Sequence, residues 1–207
     1  MKKILLVGDS ISLDYGPALR GFVRPDLAIF GKPGTEEAYR NLDLPVGGNG
    51  GDSSRVLAYV TELRERGELD CDWFFFNCGL HDIKRERPEE ELQVDEASYR
   101  SNLQAILDLM KTAGVSTVFI NTTQADGSRY PVGKMPFTRR ANDGVRYNEI
   151  AQEVMDQNGI PVVDLYGFTA SIGKSGNELF RDHTHFRPEI ITLQAAYLAG
   201  VINTMVD

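Results

Sequence analysis

The chain has 207 residues, of which 42% are hydrophobic and 25% are charged, and its formal net charge is −8. This composition is typical of a soluble globular protein rather than a disordered or membrane-spanning one, and we expect a single domain over residues 1–207. The acidic balance argues against a nucleic-acid partner, because the sequence offers no basic stripe to neutralise phosphates.

Five short apolar runs predict β-strands, because each is rich in β-branched or aromatic residues and is bounded by polar or turn-forming residues. They are residues 4–7, 27–30, 73–76, 115–120 and 160–164. The third run is apolar throughout, as expected of a central parallel strand covered on both faces. Pro161 places the last strand at an edge of the sheet.

Apolar residues at helical spacing, together with capping and stop signals, predict helices between these strands. They cover residues 16–23, 52–67, 99–113, 139–157 and 189–205. The pair Arg139-Arg140 is interpreted as a solvated helix start rather than a substrate clamp. Residues 31–48, 79–92 and 121–137 are interpreted as loops. The alternation of strands and helices predicts an α/β fold, a three-layer α/β/α sandwich with a five-stranded parallel sheet.

Ser10 follows the first predicted strand directly, after Gly8 and Asp9. In a parallel sheet, ligands bind in the crevice outside the carboxyl ends of the strands. The N–H groups of a helix start favour negative charge, so a serine at this position meets the conditions that a nucleophile needs. A role for Ser10 as a helix cap alone explains the same pattern.

Asp182 lies three residues before His185, close to the start of the last predicted helix. If this segment is a tight loop, Asp182 can orient the His185 ring, and His185 can take the proton of Ser10, which is the logic of a Ser-His-Asp triad. The alternative is a polar loop that only caps the last helix, with Pro188 near its first turn.

Four segments in the same order resemble the four sequence blocks of the SGNH (GDSL) hydrolase family. They are Gly8-Asp9-Ser10, Asn49-Gly50-Gly51-Asp52-Ser53, Gly79-Leu80-His81-Asp82 and Asp182-x-x-His185. The resemblance spans nearly the whole chain and implies a flavodoxin-like architecture. It also implies acyl transfer through Ser10, with His185 as the base and Asp182 as the residue that orients it.

The resemblance further implies three donors for the oxyanion: the backbone N–H groups of Ser10 and Gly51, and a side chain of the third block. His81 stands where the family usually has an asparagine. Because histidine also carries an N–H, we expect His81 to replace that donor. The alternatives are that Asn49 or Asn77 donates the hydrogen bond, or that His81 is a loop residue bonded to Asp82.

These features predict a serine esterase without a cofactor, acting on small acyl esters. O-Acetyl groups on carbohydrates are the favoured substrates, because the resemblance includes carbohydrate deacetylases. The residues 126–137 are expected to line the substrate, with Tyr130 and Phe137 as candidate contacts. The alternatives are a lipase or thioesterase for longer chains and a non-catalytic binding module that uses the Ser10 turn as an anion site.

A metal site would use Asp182 together with His81, His183 and His185. We expect none, because the histidines lack the H-E-x-x-H pattern and a metal leaves Gly-Asp-Ser unexplained.

Localisation is predicted from the cysteines and from the first residues. Cys71 and Cys78 lie too close along one extended segment to pair readily, and reduced thiols fit a cytoplasmic protein. The apolar run after Lys3 is too short for a signal peptide, and no stretch is long enough to span a membrane. A longer precursor whose leader is removed is the alternative. The sequence does not indicate an oligomeric state.

Overall fold

The computed structural model describes residues 1–86, 91–129 and 136–207. Its strands are β1 (Lys2–Val7), β2 (Leu27–Gly31), β3 (Trp73–Phe76), β4 (Arg85–Glu86), β5 (Ser116–Ile120), β6 (Phe137–Thr138) and β7 (Val162–Val163). Its helices are α1 (Ser10–Phe22), α2 (Thr35–Ala38), α3 (Ser53–Glu65), α4 (Glu96–Ala113), α5 (Ala141–Asn158), α6 (Leu165–Ser171) and α7 (Pro188–Met205).

Five strands form one parallel sheet in the order β2-β1-β3-β5-β7. Helix α1 packs against α7, while α3 packs against α4 and α4 against α5, so helices cover both faces of the sheet. The predicted α/β/α sandwich is therefore confirmed. A separate two-stranded antiparallel sheet pairs β4 with β6.

Strand β3 occupies the centre of the sheet because its aromatic run can fill both faces. Phe74, Phe75 and Phe76 are all fully buried. Phe76 contacts Phe119 of β5 edge to face, with ring centroids 5.0 Å apart. Since β1 and β3 are parallel neighbours, the segments that follow Val7 and Phe76 leave the sheet at the same edge.

Helix α1 begins at Ser10, six residues before the predicted start. The Asp9 carboxylate caps it by accepting the Ile11 N–H at 2.9 Å. Pro17 lies inside the helix, which local propensity disfavours. Burial of Ile11 and Tyr15 at helical spacing stabilises the helix nonetheless.

Other boundaries also differ from the sequence prediction. The expected loops 31–48 and 79–92 contain α2 and β4, and α6 was not predicted. Helix α5 begins at Ala141, and the expected solvated residue Arg139 is buried. Phe137 is a buried residue of β6, whereas Tyr130 lies outside the described residues.

Cys71 and Cys78 are both free thiols; Cys78 is buried and Cys71 is partly buried. Within the described ranges, none of the helices combines the length and the apolar character that crossing a bilayer requires.

Candidate active site

Two of the motif segments touch through backbone atoms at the carboxyl edge of the sheet. The Gly50 N–H donates to the Gly8 carbonyl at 2.8 Å. A Cβ on Gly50 would lie 2.8 Å from that carbonyl oxygen, closer than real Cβ atoms approach backbone. Glycine at position 50 therefore allows the loop before α3 to lie directly against the start of α1.

The third segment is tied to the second by a carboxylate. Asp82 Oδ1 accepts the Ser53 N–H at 2.9 Å, at the first turn of α3. Burial raises the pKa of Asp82 to about 7, and the Ser53 hydrogen bonds partly oppose that shift. The neighbouring Asp52 caps α3 by accepting the Arg55 N–H at 3.0 Å.

A continuous line of hydrogen bonds joins Ser10, His185 and Asp182. Ser10 Oγ lies 2.8 Å from His185 Nε2, and His185 Nδ1 lies 2.8 Å from Asp182 Oδ2. Because an ionised carboxylate only accepts hydrogen bonds, Nδ1 carries the proton and donates to Asp182. Nε2 is then free to accept the Ser10 hydroxyl proton. The structure thus brings together three residues that the sequence separates by up to 175 positions.

The Asp182 carboxylate is fixed by its own loop. Its Oδ1 accepts the backbone N–H groups of Thr184 and His185, each at 2.8 Å. Burial alone would raise the pKa of Asp182. The His185 side chain and the two backbone N–H groups outweigh burial and hold that pKa well below its usual range. The acid is therefore ionised at neutral pH and keeps the imidazole oriented.

Further contacts hold the loop that carries these residues. Arg181 pairs with Asp14, one turn after Ser10 on α1, with Nη2 2.7 Å from the carboxylate. His183 does not face Ser10, since its Nε2 lies 3.1 Å from Asp43 Oδ1. The loop is therefore anchored to α1 and to the segment before α3.

Asn49 and Asn77 use their amide groups to hold loops. Both hydrogens of Asn49 Nδ2 are engaged, by the carbonyls of Leu42 at 3.1 Å and Leu44 at 3.3 Å. Asn77 Nδ2 donates to the Ile120 carbonyl at 2.8 Å. The Gly51 N–H donates to Asn49 Oδ1 at 3.0 Å, and Gly51 has a φ of +72°, a conformation that favours glycine.

His81 is 1% exposed, and its Nδ1 has no hydrogen-bond partner among the described residues. Asp82 Oδ2 also lacks a partner among the described residues, and Asp82 Oδ1 accepts the Ser53 N–H. Burial and the charges of Lys84, Arg139 and His185 lower the pKa of His81 well below 6.5. The ring is therefore neutral at neutral pH and carries one N–H.

Two buried cations near His81 were not predicted as site residues. Lys84 donates to the Asp43 carbonyl, and its Nζ lies 4.4 Å from the centroid of the Phe137 ring. The Arg139 guanidinium lies 5.1 Å from the same centroid. The only signal in the sequence is the alternation of Phe137 and Arg139 in one extended segment, which places both side chains on one face.

In the part of the chain that the structure describes, no three His, Cys, Asp or Glu side chains are grouped as metal ligands.

The family is shown by a sequence comparison that covers all four segments. The model of the GDSL-like lipase/acylhydrolase family matches residues 6–190. The chain belongs to this family. It is accordingly a carboxylic ester hydrolase, and the expected resemblance is confirmed.

Solved structures of family-like proteins share the fold at low sequence identity. A lipase/acylhydrolase from Enterococcus faecalis is 20% identical, with a TM-score of 0.68 and 99% and 96% of the two chains covered. A carbohydrate acetylesterase from Sinorhizobium meliloti is 12% identical, with a TM-score of 0.69 and 99% and 100% covered. The acetyl xylan esterase AlAXEase is 14% identical, with a TM-score of 0.68 and 97% and 99% covered. The sequence finds no match among curated proteins.

Proposed function

We propose that this GDSL-like hydrolase is a serine esterase that hydrolyses small acyl esters through an acyl-enzyme on Ser10. O-Acetyl groups on carbohydrates are the favoured substrates. One observation carries the proposal: the two 2.8 Å contacts that connect Asp182, His185 and Ser10 in that order. This is the arrangement of an activated serine nucleophile.

His185 acts first as a base and then as an acid. It takes the Ser10 proton as Oγ attacks the ester carbonyl, and Asp182 stabilises the imidazolium that forms. The same proton then passes from Nε2 to the leaving alcohol, which leaves the acyl group on Ser10. Water attacks the acyl-enzyme as His185 takes its proton. The proton then passes from Nε2 to Ser10 Oγ as the acyl–oxygen bond breaks, and the acid product and free Ser10 are released.

The oxyanion is stabilised by donors from three segments. The Ser10 N–H lies at the start of α1, where helix N–H groups have no partner within the helix. Neutral His81 supplies its ring N–H in place of the usual asparagine. The Gly51 N–H takes part by exchanging its bond with Asn49 Oδ1 for one with the oxyanion. Asn49 and Asn77 support the loops rather than the oxyanion.

The carbohydrate preference draws its support from two of the structural relatives, a carbohydrate acetylesterase and an acetyl xylan esterase. It remains a separate proposal from the serine mechanism, and its test is separate as well. The rate of acetate release from acetylated xylan is measured, together with the rates of hydrolysis of p-nitrophenyl acetate, butyrate and octanoate. A rate that falls with chain length supports an acetylesterase, whereas a maximum at octanoate overturns that assignment and favours a lipase.

The mechanism is tested with Ser10→Ala on p-nitrophenyl acetate in the presence of a metal chelator. Ser12→Ala is a matched control, because Ser12 is also buried on α1 and its hydroxyl donates to the Asp9 carbonyl. We expect Ser10→Ala to abolish turnover and Ser12→Ala to retain it. Turnover by Ser10→Ala, loss of wild-type activity in the chelator, or binding without turnover would each contradict the proposal.

The oxyanion role of His81 is tested by His81→Ala. Loss of one such donor should lower kcat by about 10²- to 10³-fold. An unchanged kcat would remove His81 from the mechanism without affecting the assignment of Ser10.

A further inference from the structure

One buried side chain connects the two loops that carry His81 and His185. Arg139 follows β6, precedes α5 and is 3% exposed. Its Nε donates to the Leu80 carbonyl, and its Nη1 donates to Thr184 Oγ1 at 2.9 Å. Leu80 is the residue before His81, and Thr184 is the residue before His185. A single guanidinium is therefore bonded next to both rings.

This connection is rigid for chemical reasons. The guanidinium is planar and holds its donors in a fixed fork, so the hydrogen bonds to Leu80 and Thr184 define one relative position of these two acceptors. A buried charge is costly unless it is hydrogen-bonded, and here the Phe137 ring also packs against the guanidinium. A lysine could keep the charge but could not reproduce the fork.

The Thr184 end of the connection leads directly to the Asp182–His185 pair. The Thr184 backbone N–H donates to Asp182 Oδ1, while its hydroxyl accepts from Arg139. Movement of Thr184 would therefore shift both the carboxylate and the adjacent His185. The Leu80 end acts on the other loop, because a shift of the Leu80 carbonyl moves the peptide that begins His81.

We propose that Arg139 is a positioning residue that sets the distance between the His81 and His185 rings, so that both act on the same bound ester. The inference rests on the proposed function, which gives those two histidines their roles. Arg139 acts through Leu80 and Thr184.

The charge of Arg139 has a second effect, on the protonation of His81. The charges that lower the pKa of His81 include those of Lys84 in its own loop, Arg139, His185 before α7 and Arg55 on α3. All four are cationic when protonated and disfavour the imidazolium form. Removing Arg139 should raise the pKa of His81, whereas a lysine at position 139 should keep it low.

The experiment compares Arg139→Gln and Arg139→Lys with Arg85→Gln as a matched control. Arg85 is a partly buried arginine of β4, the strand paired with β6. It forms a bidentate salt bridge with Asp143 of α5, in which Nε lies 2.7 Å from Oδ2 and Nη2 lies 3.0 Å from Oδ1. Its removal perturbs the same small sheet and the same helix. The assay is hydrolysis of p-nitrophenyl acetate from pH 5 to 9, with thermal unfolding of each variant.

We expect Arg139→Gln to lower kcat by about 10²-fold with KM within a few-fold, because a displacement of about 1 Å in a catalytic geometry has an effect of that size. Arg139→Lys should lower kcat at least about tenfold, since the charge returns without the fork. Arg85→Gln should stay within about threefold of wild type. Should Arg139→Gln fail to fold, Arg139→Lys decides the question.

Nuclear magnetic resonance of the histidine rings provides a readout that general destabilisation would not move. The chain has three histidines, so each ring can be assigned by substitution. The His81 pKa should rise in Arg139→Gln and remain low in Arg139→Lys and Arg85→Gln.

Three results would overturn the inference: wild-type kcat in Arg139→Gln, full activity in Arg139→Lys, or an equal loss in Arg85→Gln. Failure of the proposed function is distinguishable, because it would appear as turnover by Ser10→Ala. An inactive Ser10→Ala together with a fully active Arg139→Gln would refute only the role of Arg139 and would leave the serine mechanism in place.

Discussion

Replacing Asp182 with asparagine isolates one hydrogen bond of the site. The carboxylate accepts three hydrogen bonds, two through Oδ1 from the Thr184 and His185 backbone and one through Oδ2 from the His185 ring. Asparagine retains an oxygen for the two backbone bonds. Its NH2 group then faces His185 Nδ1, which must accept rather than donate. The ring proton moves to Nε2, where it points at Ser10 and blocks proton transfer.

The size of the effect follows from this change of tautomer. Loss of the correct tautomer in a Ser-His-Asp triad lowers kcat by about 10⁴-fold, which corresponds to about 5 kcal/mol of activation free energy. The fold should change little, because the two backbone hydrogen bonds remain and the Asp182 side chain is 40% exposed. KM should stay within a few-fold of wild type, since Asp182 lies behind His185 rather than beside the substrate.

The assay is steady-state hydrolysis of p-nitrophenyl acetate, with thermal unfolding measured on the same samples. The pH is about 7.5, roughly one unit above the ordinary histidine pKa. Asp126→Asn is the control, because it makes the same change in a nearby loop, where the carboxylate accepts from Ser128. We expect Asp126→Asn to keep wild-type kcat. A kcat for Asp182→Asn within about tenfold of wild type would refute the tautomer argument.

Two further predictions concern packing and pH. Gly50→Ala should lower both kcat and the melting temperature, because the added Cβ would lie 2.8 Å from the Gly8 carbonyl oxygen. Gly21→Ala is the control, and it should be neutral or stabilising because a Cβ on Gly21 meets only open space. Equal effects of the two substitutions would contradict this reasoning. Burial lowers the pKa of Lys84 to about 8, so the unfolded chain, with a lysine pKa of about 10.4, binds more protons between these values. Lys84 should therefore make the free energy of unfolding rise with pH over that range, and Lys84→Met should remove this contribution. Urea denaturation at several pH values measures the free energy. The same pH dependence in Lys84→Met and wild type would contradict the assignment.

The residues proposed for catalysis could be found from the sequence because each lies in a short local pattern. A buried strand followed at once by Gly8-Asp9-Ser10 predicts a serine at the carboxyl edge, and Asp182 three residues before His185 predicts a loop that can orient the ring. Both patterns depend on the chemistry of neighbouring residues. The strands of the sheet were predictable for the same reason, since apolar runs form strands through local spacing.

The start of α1 and the place of Arg139 depended on tertiary contacts. Gly16 and Pro17 disfavour a helix locally, but burial of Ile11 and Tyr15 outweighs that propensity, so the helix extends back to Ser10. The proposed role of His81 likewise depends on tertiary contacts, because its burial and the charges of Lys84 and Arg139 keep the ring neutral.

The amino-acid sequence by itself determined the family, the five strands of the parallel sheet, and the residue types at the site. Only the tertiary structure decided which amides are free to donate and which cations are buried. Asn49 and Asn77 are engaged by backbone carbonyls, and Arg139 is bonded to Leu80 and Thr184. The sequence could not reveal these contacts, because all the acceptors except the Thr184 hydroxyl are backbone carbonyls. Backbone carbonyls are present at every residue and leave no signature in the sequence.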